Sequence, residues 1–265
     1  MSPLVRSAAL ISSVLGLVAA CSHSRSGGAF SARPSAEESF SFDVTRQSQT
    51  ALRLEGISGT VEVRGSPAAN SISVVGVRRV EADTLADATA HLAQLDVVVD
   101  NSQTTRVVVR TVQPKLAAGR NYIVNYTVVL PPDMSVNIVH VSGEVVVRAV
   151  NADVLVSGVN GRIHVDAIVG NTILALVNGD ITGSVTLPSA GQIDIGVANG
   201  DIDLQIPWTT SAQFAATVAV GNITLTDLLL SNERATPRSR SGTLGGGVGT
   251  VSLDVGSGSI AVRGF

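Results

Sequence analysis

Leu174–Leu187 reads LALVNGDITGSVTL, and the parity of its apolar residues decides the fold. Leu174 and Leu176 alternate ahead of Gly179, and Ile181 and Val185 follow it. The period of two that marks a half-buried strand therefore holds on both sides of the glycine but slips by one residue across it. Such a slip throws every later side chain to the wrong face unless the backbone absorbs one residue. A glycine at positive φ, in a turn or a G1-type bulge, does so. Asn178-Gly179-Asp180 also suits a hairpin turn or a calcium site, and the rest of the chain has to choose among these readings.

The same pattern returns around Gly143, Gly161, Gly200, Gly221 and Gly258; with Gly179 in the series the intervals are 18, 18, 21, 21 and 37. Two residues after the glycines stand Val145, Ile163, Ile181, Ile202, Ile223 and Ile260. Before them the alternation runs as in Ile193, Ile195 and Val197 ahead of Gly200. An earlier copy, LRLEGISGTVEV, supplies Leu52, Leu54, Gly59, Val61 and Val63. Gly59 and these six are the structural turn glycines. A β solenoid of 18–21 residues per rung explains why the unit recurs, since each rung buries itself only against the next. Asn-Gly between alternating apolar residues is also a strong hairpin signal, so an antiparallel β-meander or sandwich is the alternative.

Between the first copy and the later ones, strands are expected at Ser71 to Val80, Asp96 to Val99, Thr105 to Val112 and Asn121 to Leu130, where Pro131-Pro132 breaks the last. A helix is expected at Leu85 to Leu95, with Thr84 as N-cap, Asp87 three residues on, and Leu85, Ala88, Leu92 and Leu95 on one face. Ser231 to Gly247 (SNERATPRSRSGTLGGG) is polar and glycine-rich, and reads as a loop replacing a degenerate rung; its Arg234, Arg238 and Arg240 also admit a binding loop.

The first twenty residues stand apart. Arg6 is their only charge, and Ala8 to Ala20 (AALISSVLGLVAA) is an apolar run ending in small residues before Cys21, the sole cysteine. Thirteen residues of helix reach about 20 Å, short of a hydrocarbon core of about 30 Å, which fits a signal peptide better than a span. Val18-Ala19-Ala20-Cys21 resembles the lipobox of bacterial lipoproteins, which implies lipidation at Cys21 and a membrane anchor without a transmembrane helix. In lipoproteins of two-membrane cells, a serine such as Ser22 after the cysteine implies an outer-membrane destination. Residues 21–39 are Ser/Gly/Pro-rich and read as a flexible tether, so folding is expected from about Phe40 to Phe265, with irregular strands over 40–132 and repeats over 133–265.

The mature 265 − 20 = 245 residues can bury a core without disulfides. A net charge of −3 gives no electrostatic footprint for nucleic acid. Aromatic content of 3% points to a thin aliphatic core.

The lipoprotein-like leader, the early Gly56-Ile57-Ser58-Gly59-Thr60-Val61-Glu62-Val63, the helix after the second strand, the strand ending in Val128-Val129-Leu130-Pro131, and the VNGDI-type rungs together resemble the bacterial putative-adhesin family of domains of unknown function. The resemblance covers roughly Phe40 to Phe265. It implies a β-solenoid-like domain exposed in the cell envelope, and it brings no catalytic or ligand-binding residues. The chain departs from the pattern between Gly221 and Gly258.

Chemistry is sparse. Repeat-type calcium sites need carboxylates at short fixed intervals, yet Glu144, Arg162, Asp180, Asp201, Asn222 and Ser259 follow the glycines, so Asp180 and Asp201 read as exposed turn residues and no metal is expected. Hydrolytic catalysis needs a nucleophile beside a base. His23 lies in the tether, His91 on the helix, His140 at a core-facing repeat position and His164 on the opposite parity of its strand, so none makes an evident pair. Asp201 and Asp203 share a strand face, as solvated surface does. Trp208 is the sole tryptophan and reads as partly buried packing between rungs, with a sugar platform as the alternative. The expectation is a non-enzymatic, cofactor-free, lipid-anchored envelope protein presenting a long surface to a protein or surface partner. An assembly scaffold is the alternative, followed by a carbohydrate-binding module or enzyme.

Overall fold

The computed structural model describes residues 33–265, so the leader, Cys21 and His23 lie outside the described residues. Nineteen strands and one helix make this an all-β fold, as the alternation requires. The first strand, β1 (Ser35–Thr45), begins five residues before Phe40 and corrects the expected boundary. It is an edge strand paired antiparallel with one neighbour, and its Glu37 and Glu38 stand opposite Arg79 and Arg78. Arg78 bonds Glu38 at 2.8 Å. Cross-strand charge and not apolar alternation marks residues 35–39, which is why they read as tether, whereas Phe40, Phe42 and Val44 alternate as expected.

The first copy of the repeat forms β2 (Ala51–Ser58) and β3 (Val61–Gly65). There follow β4 (Ser71–Glu81), α1 (Leu85–Leu92), β5 (Asp96–Asp100), β6 (Arg106–Val112) and β7 (Asn121–Leu130). The helix starts as expected, with the Asp87 N–H donating to Thr84 Oγ1 at 3.1 Å. It stops at Leu92 instead of Leu95, where Leu95 drops into the core.

Two longer strands, β8 (Ser135–Arg148) and β9 (Val154–Val169), run unbroken through Gly143 and Gly161. After them the glycine separates two strands per rung: β10 (Thr172–Asn178) from β11 (Ile181–Thr186), β12 (Gln192–Asn199) from β13 (Ile202–Ile206), and β14 (Ala212–Val220) from β15 (Ile223–Thr226). The segment expected as a loop is instead a hairpin, β16 (Ser231–Thr236) with β17 (Ser239–Leu244), and the last rung is β18 (Gly249–Ser257) and β19 (Ile260–Gly264). The hairpin hid because β16 is exposed at every residue, and an all-solvent strand carries no alternation.

Pairing between rungs is parallel. The strands before the glycines stack as β6-β2-β8-β9-β10-β12-β18-β14, here called the first ladder. Those after the glycines stack as β7-β3-β8-β9-β11-β13-β19-β15, the second ladder. Antiparallel strands close both ends: β5 lies on β6, β4 on β7 and β1 on β4, while β17 lies on β14 and β16 on β17.

Stack order departs from chain order at both ends: β6/β7 stack outside β2/β3, and the later rungs depart once more. The last rung, β18/β19, sits between β12/β13 and β14/β15, and no ladder pairing joins β12 to β14. The 37-residue interval therefore does not mark a degenerate rung. It holds the hairpin that turns the chain back, so that its C-terminal strands can fill the place left between two earlier ones.

Inward residues of both ladders join one aliphatic core. In the deciding stretch Leu174, Leu176, Ile181 and Val185 are all buried, so the parity does switch across Gly179. The seven repeat glycines have φ between +120° and +143°. They stack directly: a methyl on Gly179 would overlap the carbonyl oxygen of Gly161, and one on Gly200 that of Gly179.

Candidate interaction face

The corner that looked most like a site is built from backbone amides and their side-chain partners. The Asp201 N–H donates to Asp180 Oδ1 at 3.1 Å, and the Ser259 N–H donates to Asp201 Oδ1 at 2.7 Å. Asp180 is accordingly half-buried rather than a free turn residue, and the two acids bind neighbouring amides, not one ion. Beside them Asn178 Nδ2 donates to Asn160 Oδ1 at 2.9 Å, and Asn199 Nδ2 to Asn178 Oδ1 at 3.0 Å. This asparagine ladder is a register device of stacked parallel strands. Among the described residues no group of three His, Cys, Asp or Glu side chains could hold a metal ion.

Among the described residues His140 is the one buried histidine, 2% exposed, in a column where Gly56 and Gly158 are its neighbours on either side. The missing side chain on Gly56 leaves room for the ring, and the space beside Gly158 is taken by Leu176. Its Nε2 lies 2.9 Å from the Gly59 carbonyl oxygen, which can only accept, so Nε2 carries the proton. Nδ1 is buried without a partner among the described residues. Burial pushes its pKa below the ordinary value, against the smaller opposing effect of the backbone hydrogen bonds. The folded chain resists protonation, so the unfolded chain takes up the proton first, and stability falls as pH drops below about 6.5. Thermal unfolding followed between about pH 7.5 and pH 5.5 should show this decline, and His140→Gln, which keeps a donor for Gly59, should flatten it. An equal slope in the variant would refute the assignment.

The other candidates are dispersed. His91 Nδ1 lies 2.9 Å from the Asp87 carbonyl oxygen on the helix, and His164 is hydrogen-bonded to Thr182 Oγ1 at 2.9 Å on the second ladder. Tyr126 is buried with its hydroxyl bonded to Thr111, and desolvation pushes its pKa up to about 12. Trp208 is 69% exposed, a correction to the expected half-burial; its ring edge lies over Gly264 of β19. Arg240 pairs with Glu233 within the hairpin at 3.4 Å, and Arg234 and Arg238 lie on its exposed strand and turn.

What the rungs do assemble is a pair of unequal outer faces. On the second ladder, the outward positions of four successive rungs include Arg148, Arg162, Asp166, Asp180, Asp201 and Asp203. On the first ladder, the corresponding outward positions are filled by Val139, Val141, Leu155, Val159, Ile173 and Val177, among small neutral residues. Val139, Val141, Val159, Ile173 and Val177 are each exposed by 38–44%. With strands about 4.8 Å apart and alternate residues about 6.7 Å apart, the three rungs β8, β9 and β10 over three columns make an apolar patch on the order of 300 Å². The patch is not evident in the sequence because parity marks a valine as outward without showing which outward residues lie beside it on the next rungs. Parity was the available signal: Val141, Val159 and Val177 each stand two residues before a repeat glycine.

The patch has charged borders. At one end an open groove is lined by Arg53, Glu55, Asp100, Gln103, Arg106 and Arg110. At the other, Asp194 and Asp254 stand on β12 and β18.

No family model matches the sequence, and no curated protein matches it. Among solved structures, the chain is similar to a putative cell adhesion protein from Clostridium sporogenes at 14% identity, covering 87% of this chain and 100% of that one, with a TM-score of 0.48. It is also similar to a putative adhesin from Bacteroides fragilis at 11% identity, covering 85% and 97%, with a TM-score of 0.39.

Proposed function

We propose that this is a non-catalytic, lipid-anchored protein of the cell envelope that works by laying one long face against a macromolecular partner. The rungs then coil as a β solenoid from β1 onward, Cys21 carries the lipid behind a signal peptide of residues 1–20, and residues between them form the tether. The membrane, the outer one where a cell has two, is the first partner. The second is a protein or surface, and nucleic acid is not among the partners of a chain with net charge −3.

Parallel register over successive 18- and 21-residue offsets supports the solenoid. One observation carries the interaction reading: two ladders of the same rungs, built on the same strand pattern, differ in that one outer face is charged and the other apolar. The patch has the size of the largest apolar patch on an ordinary monomer, about 300–600 Å², which is often functional, and its apolar centre with a charged rim is the make-up of a docking surface.

The test compares three chains in intact cells by fractionation and cross-linking. The native chain sediments with the envelope and forms cross-linked species. Cys21→Ser is released from the envelope. Val141→Glu with Val177→Glu stays anchored but loses the cross-links. Anchored Cys21→Ser, or unchanged cross-links in the double variant, would sink the corresponding half of the reading.

A further inference from the structure

We infer that the apolar outer face of the first ladder pairs with the same face of a second copy of this chain, about a two-fold axis that runs along β9. The inference rests on the reading of that face as a docking surface and names its occupant.

Register decides the pairing. Arg53, Asn137, Leu155, Ile173 and Asp194 form one column across β2, β8, β9, β10 and β12. Two faces brought together about an axis along the strands have their stacks running in opposite directions. With the axis on Leu155, Arg53 of each copy meets Asp194 of the other, because both lie two rungs from β9. The next column runs Arg110, Glu55, Val139, Ser157, Ala175, Gly196 and Asp254. About Ser157, Arg110 meets Asp254, three rungs away on either side, and Glu55 meets the uncharged Gly196. In the third column Val159 meets Val159, and Val141 meets Val177.

Other arrangements fail on the same columns. An axis along the stack keeps each rung opposite itself, so Arg53 and Arg110 never meet Asp194 and Asp254. Moving the strand-parallel axis half a rung, to between β9 and β10, sets Glu55 against Asp254. Only the axis on β9 joins both charged borders to their opposites and the valines to each other. Packed sheets cross at about 30°, which displaces positions two rungs from the axis by about 5 Å, within the reach of an arginine. Arg53 has the donors for this: among the described residues only its Nε is engaged, by Glu55 at 2.7 Å.

The area is adequate. Seven rungs at about 4.8 Å by a width of about 20 Å cover roughly 700 Å² per copy, against about 800 Å² for a stable interface of ordinary size. The centre is apolar and the rim charged, as such interfaces are. The second ladder, with its charged outer face, stays in solvent on both sides of the pair.

Sedimentation of the full chain in mild detergent across a concentration series tests this. A dimer is expected. Arg53→Asp or Asp194→Arg alone should weaken it about tenfold, and the two together should restore it to within about threefold, because the exchanged charges again face each other. Val159→Lys, which sets two ammonium groups against each other at the axis, should leave only monomer. Circular dichroism of each variant separates lost pairing from lost folding. A native chain that is monomeric throughout, or a double variant as weak as either single one, overturns the pairing. Cross-links to other proteins that Val141→Glu and Val177→Glu abolish would then show the docking reading surviving without self-association, whereas loss of neither would end both.

Discussion

Gly179→Ala should lower the free energy of unfolding by roughly 3–5 kcal/mol, measured by urea denaturation. Two independent penalties meet at this residue. Its φ of +125° lies where side chains with a Cβ are strained, and the stacked carbonyl of Gly161 occupies the space a methyl needs. Relief is unavailable, because the Gly161 carbonyl belongs to the next rung, which is fixed in turn by Gly143. Gly196→Ala is the control on the same strand pair, since a Cβ there meets nothing within 4 Å and its backbone is ordinary. It should cost less than about 0.5 kcal/mol, or stabilise by reducing the freedom of the unfolded chain. Equal losses in the two variants would show that the glycine column is not what sets the corner.

Removal of Gly249 to Phe265 should unfold far more than the residues removed. The deleted rung lies inside the stack, so its loss leaves β12/β13 and β14/β15 facing a gap one strand wide. Val251, Leu253, Val255, Ile260 and Val262 leave the core together, and burial of each such side chain is worth about 1.5–3 kcal/mol. That total, about 8–15 kcal/mol, is as large as the whole stability of a typical domain. The truncated chain should therefore lose protection from Pro207 to Leu244 and be cut there by protease, while the segment ahead of β12, which keeps its ladders, resists. Uniform resistance would mean that β14 has moved over to pair with β12, restoring a simple stack in chain order. Deletion of an end rung in a stack of that simple order would trim one edge; here the same deletion opens the middle.

Much of the core was legible in the sequence because strand alternation reports burial directly. Leu174, Leu176, Ile181 and Val185 were assigned from parity alone, and so was the switch across Gly179. The N-cap at Thr84 was legible for a similarly local reason, since its partner is three residues away. Where that local signal is missing, the structure departs from the expectation: Ser35–Ser39, the polar start of β1, and the whole of β16 are edge-strand segments without an apolar period, and they read as tether and loop. Trp208 was expected to be half-buried because tryptophan usually is, but the rung beneath it offers only Gly264 to cover one side.

The candidate face shows the same division. Each outward valine was visible as a letter, but an outward position acquires meaning only from its neighbours on the next rungs, which lie 18, 21 or 58 residues away. The sequence by itself determined the all-β class, the inward and outward positions and the corners, because these follow from steric periodicity within a few residues. Only the tertiary structure decided that the last rung enters between two earlier ones, that His140 sits in a space left by Gly56, and that apolar positions gather on one outer face. Those features depend on which strand lies beside which, and parallel pairing between identical rung patterns leaves that choice to the packing of the whole stack.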